Sequence, residues 1–144
     1  MVHNTFRLTT EALSVNEAFC RLAVSAFIAP LDPTIDELTD LKTAVSEAVT
    51  NAIVHGYGDR KGKIYLEGQI LDGGIVKITV KDKGVGIENI ELAMQPLYTS
   101  GGEDRAGLGF TVMQSFCDRL KVSSKPGKGT SVTLTKRIAG RSKW

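Results

Sequence analysis

The run from residue 75 to 83 constrains the fold most. Val76, Ile78 and Val80 share one parity, while Lys77, Thr79, Lys81 and Lys83 share the other. Successive side chains of a strand point to opposite faces, so this strand packs on one side and is wet on the other. A mostly antiparallel sheet with helices on only one face is a two-layer α+β sandwich. Asp82 continues the inward parity, placing a carboxylate where an apolar residue belongs. A polar group there needs hydrogen-bond partners, because leaving even a neutral one unpaired costs roughly 2–7 kcal/mol.

The neighbouring segments supply the rest of that sandwich. Ile64, Leu66 and Ile70 alternate in a preceding strand, and Asp72-Gly73-Gly74 between the two is a hairpin signal. Phe6 and Leu8 mark a short strand over Asn4 to Leu8. Lys121 to Ser124 and Thr130 to Lys136 read as a closing pair around Pro126-Gly127-Lys128-Gly129. A helix is expected over Ser14 to Ala29, with Ser14 and Glu17 as a capping box and Phe19, Leu22, Ala23, Ala26 and Phe27 at helical spacing. A longer one follows from Thr34 to about His55, with the stripe Leu38, Leu41, Val45, Ala48 and Ala52. A short helical stretch, Ile90 to Met94, and a further helix from about Leu108 to Leu120 complete the layer.

Length and charge exclude several functions. A chain of 144 residues fits one domain, here 1–144, and buries enough surface to need neither disulfide nor metal. A net charge of +2 is no electrostatic footprint for nucleic acid. Nowhere do 18 apolar residues run together, which argues against a membrane span. Met1 to Thr10 has one Arg and no apolar run, so it does not read as a signal peptide, and a cytoplasmic location is expected. Cys20 and Cys117 sit in apolar helical patterns without ligand spacing and read as reduced, buried thiols. The basic tail, 137–144, reads as a solvated terminus.

Chemistry concentrates in four places. Glu47 and Asn51 are four apart on the long helix and share a side, with His55 one turn further. Taken alone, such a pair describes a polar rim. Asp82 either caps the turn Asp82-Lys83-Gly84-Val85-Gly86 or accepts from a ligand such as the exocyclic amine of a purine. Gly107-Leu108-Gly109 opens a helix, where exposed amides and the dipole suit phosphates, but it follows no strand and is not the dinucleotide fingerprint. Thr130 shares the parity of Val132 and Leu134 and so points inward, towards the ligand side of Asp82.

In this order and spacing, Glu47-x-x-x-Asn51, Asp82-x-Gly84-x-Gly86, Gly107-x-Gly109 and Gly129-Thr130 resemble the nucleotide-binding boxes of the gyrase, heat-shock chaperone, histidine-kinase and mismatch-repair ATPases. That resemblance implies a histidine-kinase-like fold, with helices on one face of a mixed, mostly antiparallel sheet, and ATP/ADP with Mg²⁺ as ligands. Within that superfamily, Leu31-Asp32-Pro33-Thr34, Ser46 to Ile53, His55-Gly56-Tyr57 and Gly84 to Ile87 resemble the anti-sigma factor serine-protein kinases of spore-forming bacteria, the sporulation anti-sigma-F factors in particular. The resemblance covers about Asn16 to Thr130. It implies that Asn51 ligates Mg²⁺, that Glu47 is the general base, and that Asp82 with Thr130 reads the adenine. Gly84, Gly86, Gly107 and Gly109 would shape the pocket, and Thr99, Ser100 and Arg105 would lie in an ATP lid at about 96–106. Gly101-Gly102 in that lid departs from the family's pattern and implies a more flexible one.

The partners implied are a sigma factor held inactive, an anti-anti-sigma protein phosphorylated on serine, and a second copy in a homodimer, with Arg21 as a sigma contact. Two alternatives stay open: a stress-response kinase of the same family, and a nucleotide-gated sigma-binding module without catalysis. With only His3 and His55 and no second helical domain, a complete autophosphorylating histidine kinase is not expected.

Overall fold

The computed structural model describes residues 1–95 and 106–140, and their side chains except those of 106–108. Five strands form one sheet: β1 (Val2–Glu11), β2 (Lys63–Leu71), β3 (Ile75–Asp82), β4 (Arg119–Lys125) and β5 (Gly129–Arg137), in the order β1-β2-β3-β5-β4. All the pairings are antiparallel, so the sheet expected to be mixed has no parallel pair among the described residues. Four α-helices accompany it among the described residues: α1 (Asn16–Ile28), α2 (Ile35–Asn51), α3 (Ile90–Ala93) and α4 (Ala106–Phe116). The two-layer α+β sandwich is as the alternation in β3 requires. Val76, Ile78, Val80 and Asp82 are buried, while Lys77 and Lys81 are exposed.

The core lies between that inner face and the helices. Ile64, Leu66 and Ile70 of β2 and Val132 and Leu134 of β5 join the β3 residues there. From the other side come Cys20, Val24 and Ile28 of α1, Leu41, Val45 and Ala48 of α2, and Phe110 and Met113 of α4. Both cysteines are free and buried, and burial pushes the Cys20 thiol up to about 11.

Several element ends differ from the sequence expectation, for local reasons. β1 runs the full length of β2, from Val2 opposite Leu71 to Glu11 opposite Lys63. Its first four residues are exposed, so no alternation marked them. α1 has no side-chain cap. Glu17 instead accepts from Arg21 Nε at 3.1 Å and from Ser46 Oγ at 2.7 Å, so the expected Ser14–Glu17 capping box does not form. The stripe on α1 is also rotated: Phe19, Leu22 and Ala26 are exposed, and Cys20, Val24 and Ile28 face the core. Apolar residues lie on both sides of this helix, and periodicity alone does not say which side is covered. α4 stops at Phe116 because Asp118 N donates to Thr135 O at 2.8 Å and Arg119 already pairs with Thr135 in the β4–β5 ladder.

α2 is the element that carries the chemistry. It starts in a capping box, with Thr34 Oγ1 accepting from Glu37 N at 3.1 Å and Glu37 Oε1 accepting from Thr34 N at 2.9 Å. The α-helix ends at Asn51, and residues Ala52–Tyr57 continue in a wider π-helical turn that Gly58 closes at φ 60°. The expectation of a helix running regularly to His55 is corrected accordingly. Bonds to other elements hold the wide turn: Val85 N donates to Gly56 O at 2.9 Å, and Tyr57 Oη donates to Lys63 O at 2.7 Å and accepts from Lys83 N at 2.8 Å. π-Turns of this kind are frequent at functional sites.

Candidate functional site

The end of β3 forms one half of the site. Asp82 is only 4% exposed. Its Oδ1 accepts from Gly84 N at 2.8 Å, and Thr130 is its direct partner on β5. Burial pushes the Asp82 carboxyl above its ordinary value, and the nearby backbone of Gly84 and Thr130 pulls it back only in part. Asp82 thus both caps the turn and keeps acceptor capacity.

Backbone from the π-helical turn comes directly against this carboxylate. A Cβ added to Gly56 would lie 2.9 Å from Asp82 Oδ1, and one added to Gly84 would overlap the carbonyl oxygen of Gly56. Gly86 has φ 78°, a left-handed conformation that favours glycine, and its Cβ would overlap Lys125 O. Gly84→Ala is therefore expected to lower stability by roughly 1–3 kcal/mol, the usual cost of overpacking. A urea midpoint that does not move would show that the Gly56–Gly84 contact yields freely.

The second half lies where α4 crosses α2. A Cβ added to Gly109 would sit 3.1 Å from Asn51 Nδ2, Asn51 Oδ1 and Glu47 Oε2 alike. The bare backbone of α4 thus faces both polar side chains at once. Asn51 Nδ2 is buried and has no hydrogen-bond partner, the one such side-chain atom among the described residues. A buried donor without an acceptor carries a desolvation cost of about 1–3 kcal/mol. Such a group, beside a carboxylate and under a glycine, fits an anionic ligand that completes it. The two halves are joined through α2, since Asn51 ends the α-helix and Gly56 in the following turn touches Asp82.

Residues 9–136 match the family described as histidine kinase-like ATPase domain. The chain is 52% identical over 139 residues to an anti-sigma F factor of Geobacillus sp. (strain WCH70), covering 95% of this chain and 94% of that one. It is 56% identical over 137 residues to an anti-sigma F factor of Clostridium perfringens (strain SM101 / Type A), covering 94% and 97%. The chain belongs to the anti-sigma F factor family of histidine kinase-like ATPase domains. The fold is also similar to the RsbU and RsbW domains of a Mycobacterium tuberculosis protein. That match has a TM-score of 0.68 at 21% identity and covers 94% of this chain and 32% of that one.

For this member of the anti-sigma F factor family, the structure groups the expected residues unevenly. Glu47, Asn51 and Gly109 come together, as do Asp82, Gly84 and Thr130, with Gly86 at the adjoining turn. Gly107 lies in the first turn of α4. Thr99, Ser100 and Arg105, with the rest of the expected lid up to 105, lie outside the described residues. Arg21 is engaged on α1, donating to Glu17 at 3.1 Å, where it is 37% exposed.

Two residues near Asp82 escaped sequence reasoning. Gly56 stands against the carboxylate, and Ser124 Oγ lies 2.8 Å from Thr130 Oγ1. Gly56 belongs to the string His55-Gly56-Tyr57, which carries the resemblance but gives no sign of the contact with Asp82. For Ser124 no local pattern gave a signal: only the register of β4 places it directly opposite Thr130. Among the described residues no helix is long and apolar enough to cross a membrane.

Proposed function

We propose that this protein binds ATP with Mg²⁺, holds a sporulation sigma factor inactive, and phosphorylates a serine of an anti-anti-sigma antagonist. The observation that carries the nucleotide reading is the partnerless, buried Asn51 Nδ2 beside Glu47 beneath Gly109. Membership of an ATPase-domain family supplies the ligand class. Asp82 and Thr130 would take the purine, and the α4 N-terminus with Gly107 would face the phosphates.

The residues fit a magnesium ion held largely by its nucleotide. Among the described residues no group of three or more His, Cys, Asp or Glu side chains is placed to hold a metal by itself. Asn51 Oδ1 is an oxygen donor of the type Mg²⁺ accepts, with phosphates and water completing the shell. Bound there, the ion would offset charge on the phosphate oxygens. Glu47 accepts the proton of the incoming serine hydroxyl as its oxygen bonds to the γ-phosphorus and the bond from that phosphorus to the bridging oxygen of ADP breaks. Asn51 holds the phosphate end, and the packing of α4 on α2 keeps the carboxylate and amide aligned.

The outward residues Phe19 and Leu22 on α1, with Val15 at its N-cap, support a protein-binding role for that helix, with Arg21 beside them as a sigma contact and a second copy as a further partner. A cytoplasmic location accords with a transcriptional partner. The test is to combine protein, Mg-ATP and the antagonist and to look for phosphoserine by mass spectrometry. Intact ATP binding without phosphoserine would contradict the kinase reading and leave a nucleotide-gated binding module.

Gly109→Ala offers a finer check. The added methyl must displace the Glu47 carboxylate or the Asn51 amide by a few tenths of an ångström. Ala is favoured over Gly within a helix by up to about 1 kcal/mol, so the melting temperature should hold. Transfer should fall roughly ten- to a hundredfold, since sub-ångström misplacement of reacting groups is costly. Unchanged phosphoserine yield at equal stability would argue against the α2–α4 junction as the reacting centre.

A further inference from the structure

Asp82, Thr130 and Ser124 form a row across three adjacent strands. Thr130 lies opposite Asp82 in the β3–β5 ladder and opposite Ser124 in the β4–β5 ladder. Directly opposed residues share a face of the sheet, so all three side chains emerge on the packed side. The middle residue is the one whose polarity matters.

The hydroxyl of Ser124 meets three groups. It accepts from Ile87 N at 2.7 Å, donates to Gly129 O at 2.9 Å, and lies 2.8 Å from Thr130 Oγ1. A serine hydroxyl has one hydrogen and two lone pairs. The Gly129 carbonyl can only accept, so the hydrogen goes there, and the Ile87 amide can only donate, so it takes one lone pair. The remaining lone pair faces Thr130, whose hydroxyl must donate to it. Thr130 has no second hydrogen. What it offers to a neighbouring ligand is lone pairs alone.

We propose that Ser124 is a positioning residue that fixes the Thr130 hydroxyl as an acceptor, so that Asp82 and Thr130 together select a purine with an exocyclic amine over one with a carbonyl. This rests on the reading of Asp82 and Thr130 as the purine end of the site. The backbone amide of Gly84 already donates to Asp82 Oδ1, which sets its carboxylate as an acceptor too. Two acceptors match the two hydrogens of one amino group. A carbonyl oxygen at that place would face lone pairs and leave the ligand-facing acceptors of both side chains without a donor, the arrangement that gives hydrogen-bonding sites their strongest discrimination.

Calorimetric titration of Mg-ADP and Mg-IDP into the full chain tests this. The wild type is expected to prefer ADP by roughly a hundredfold or more. Ser124→Ala frees the Thr130 hydrogen to turn towards a carbonyl, and the preference should shrink by roughly tenfold, the worth of one net hydrogen bond. Ser124→Thr keeps the hydroxyl and should restore it. In a Thr130→Val background, Ser124→Ala should leave the ratio unmoved, because the residue through which it acts is gone.

A merely structural role predicts something else: Ser124→Ala would weaken ADP and IDP together at a constant ratio, and that result would overturn the proposal. Should Ser124→Ala fail to fold, Thr130→Val decides alone, since a wild-type ratio in that variant removes Thr130 from purine reading. Wild-type protein that binds neither nucleotide overturns both this proposal and the nucleotide reading beneath it. ADP binding with an unmoved ratio overturns only the role of Ser124.

Discussion

Glu47→Gln is expected to reduce phosphoryl transfer to the antagonist serine by roughly 10²–10⁴-fold, the range general-base catalysis supplies. Mg-ADP affinity should stay within about threefold of wild type, because Gln preserves shape and hydrogen-bonding reach while removing the ability to take a proton. The geometry supports so selective an effect. Glu47 Oε2 faces the bare backbone at Gly109 alongside the Asn51 amide, whereas the purine end is built from β3 and β5 and shares no hydrogen bond with it. Single-turnover phosphoserine formation and calorimetric ADP binding, measured on one preparation, separate the two quantities. A variant that keeps wild-type transfer would remove Glu47 from the base role.

Asp82→Asn should separate stability from binding in the opposite sense. Burial raises the carboxyl's value in the folded state. A carboxyl so raised contributes stability below its unfolded value, and that contribution is lost as pH rises through the folded one. At neutral pH the ionised group therefore weighs against the nucleotide-free fold. Asn is neutral and can still accept from Gly84 N, so the nucleotide-free variant should melt at or above the wild-type temperature at pH 7. That advantage should shrink as the pH is lowered through the carboxylate range. Adenine-nucleotide affinity should fall roughly ten- to a hundredfold, the worth of a hydrogen bond to a charged group. A melting temperature lowered by several degrees at pH 7, with affinity retained, would make Asp82 a turn cap and nothing more.

The inward aspartate was legible in the sequence because a period of two carries its own phase. Val76, Ile78 and Val80 fix which face Asp82 joins, and its burial follows. The pairing of Glu47 with Asn51 was legible for the same reason at helical spacing. The π-helical turn was not, because its width is set by bonds from Val85 and Lys83, which lie more than twenty residues further on in the chain. Nor was Ser124: its role depends on register with β5 and on the Ile87 amide, and no local pattern encodes either. α1 misled for a physical reason. It carries apolar residues on two faces, and the exposed one, with Phe19 at 52% and Leu22 at 61%, has the character of a binding surface.

The Asn51–Glu47–Gly109 junction and the Asp82–Thr130 pair are, on this reading, two ends of one nucleotide site. The most direct measurement is an NMR titration of the labelled chain with Mg-ADP, following the side-chain amide of Asn51 and the backbone amides of Gly84 and Thr130. All three sets of resonances should shift together with a single dissociation constant, and the Asn51 amide, partnerless in the free protein, should move furthest. Shifts at Gly84 and Thr130 with the Asn51 amide unmoved at saturation would contradict the claim.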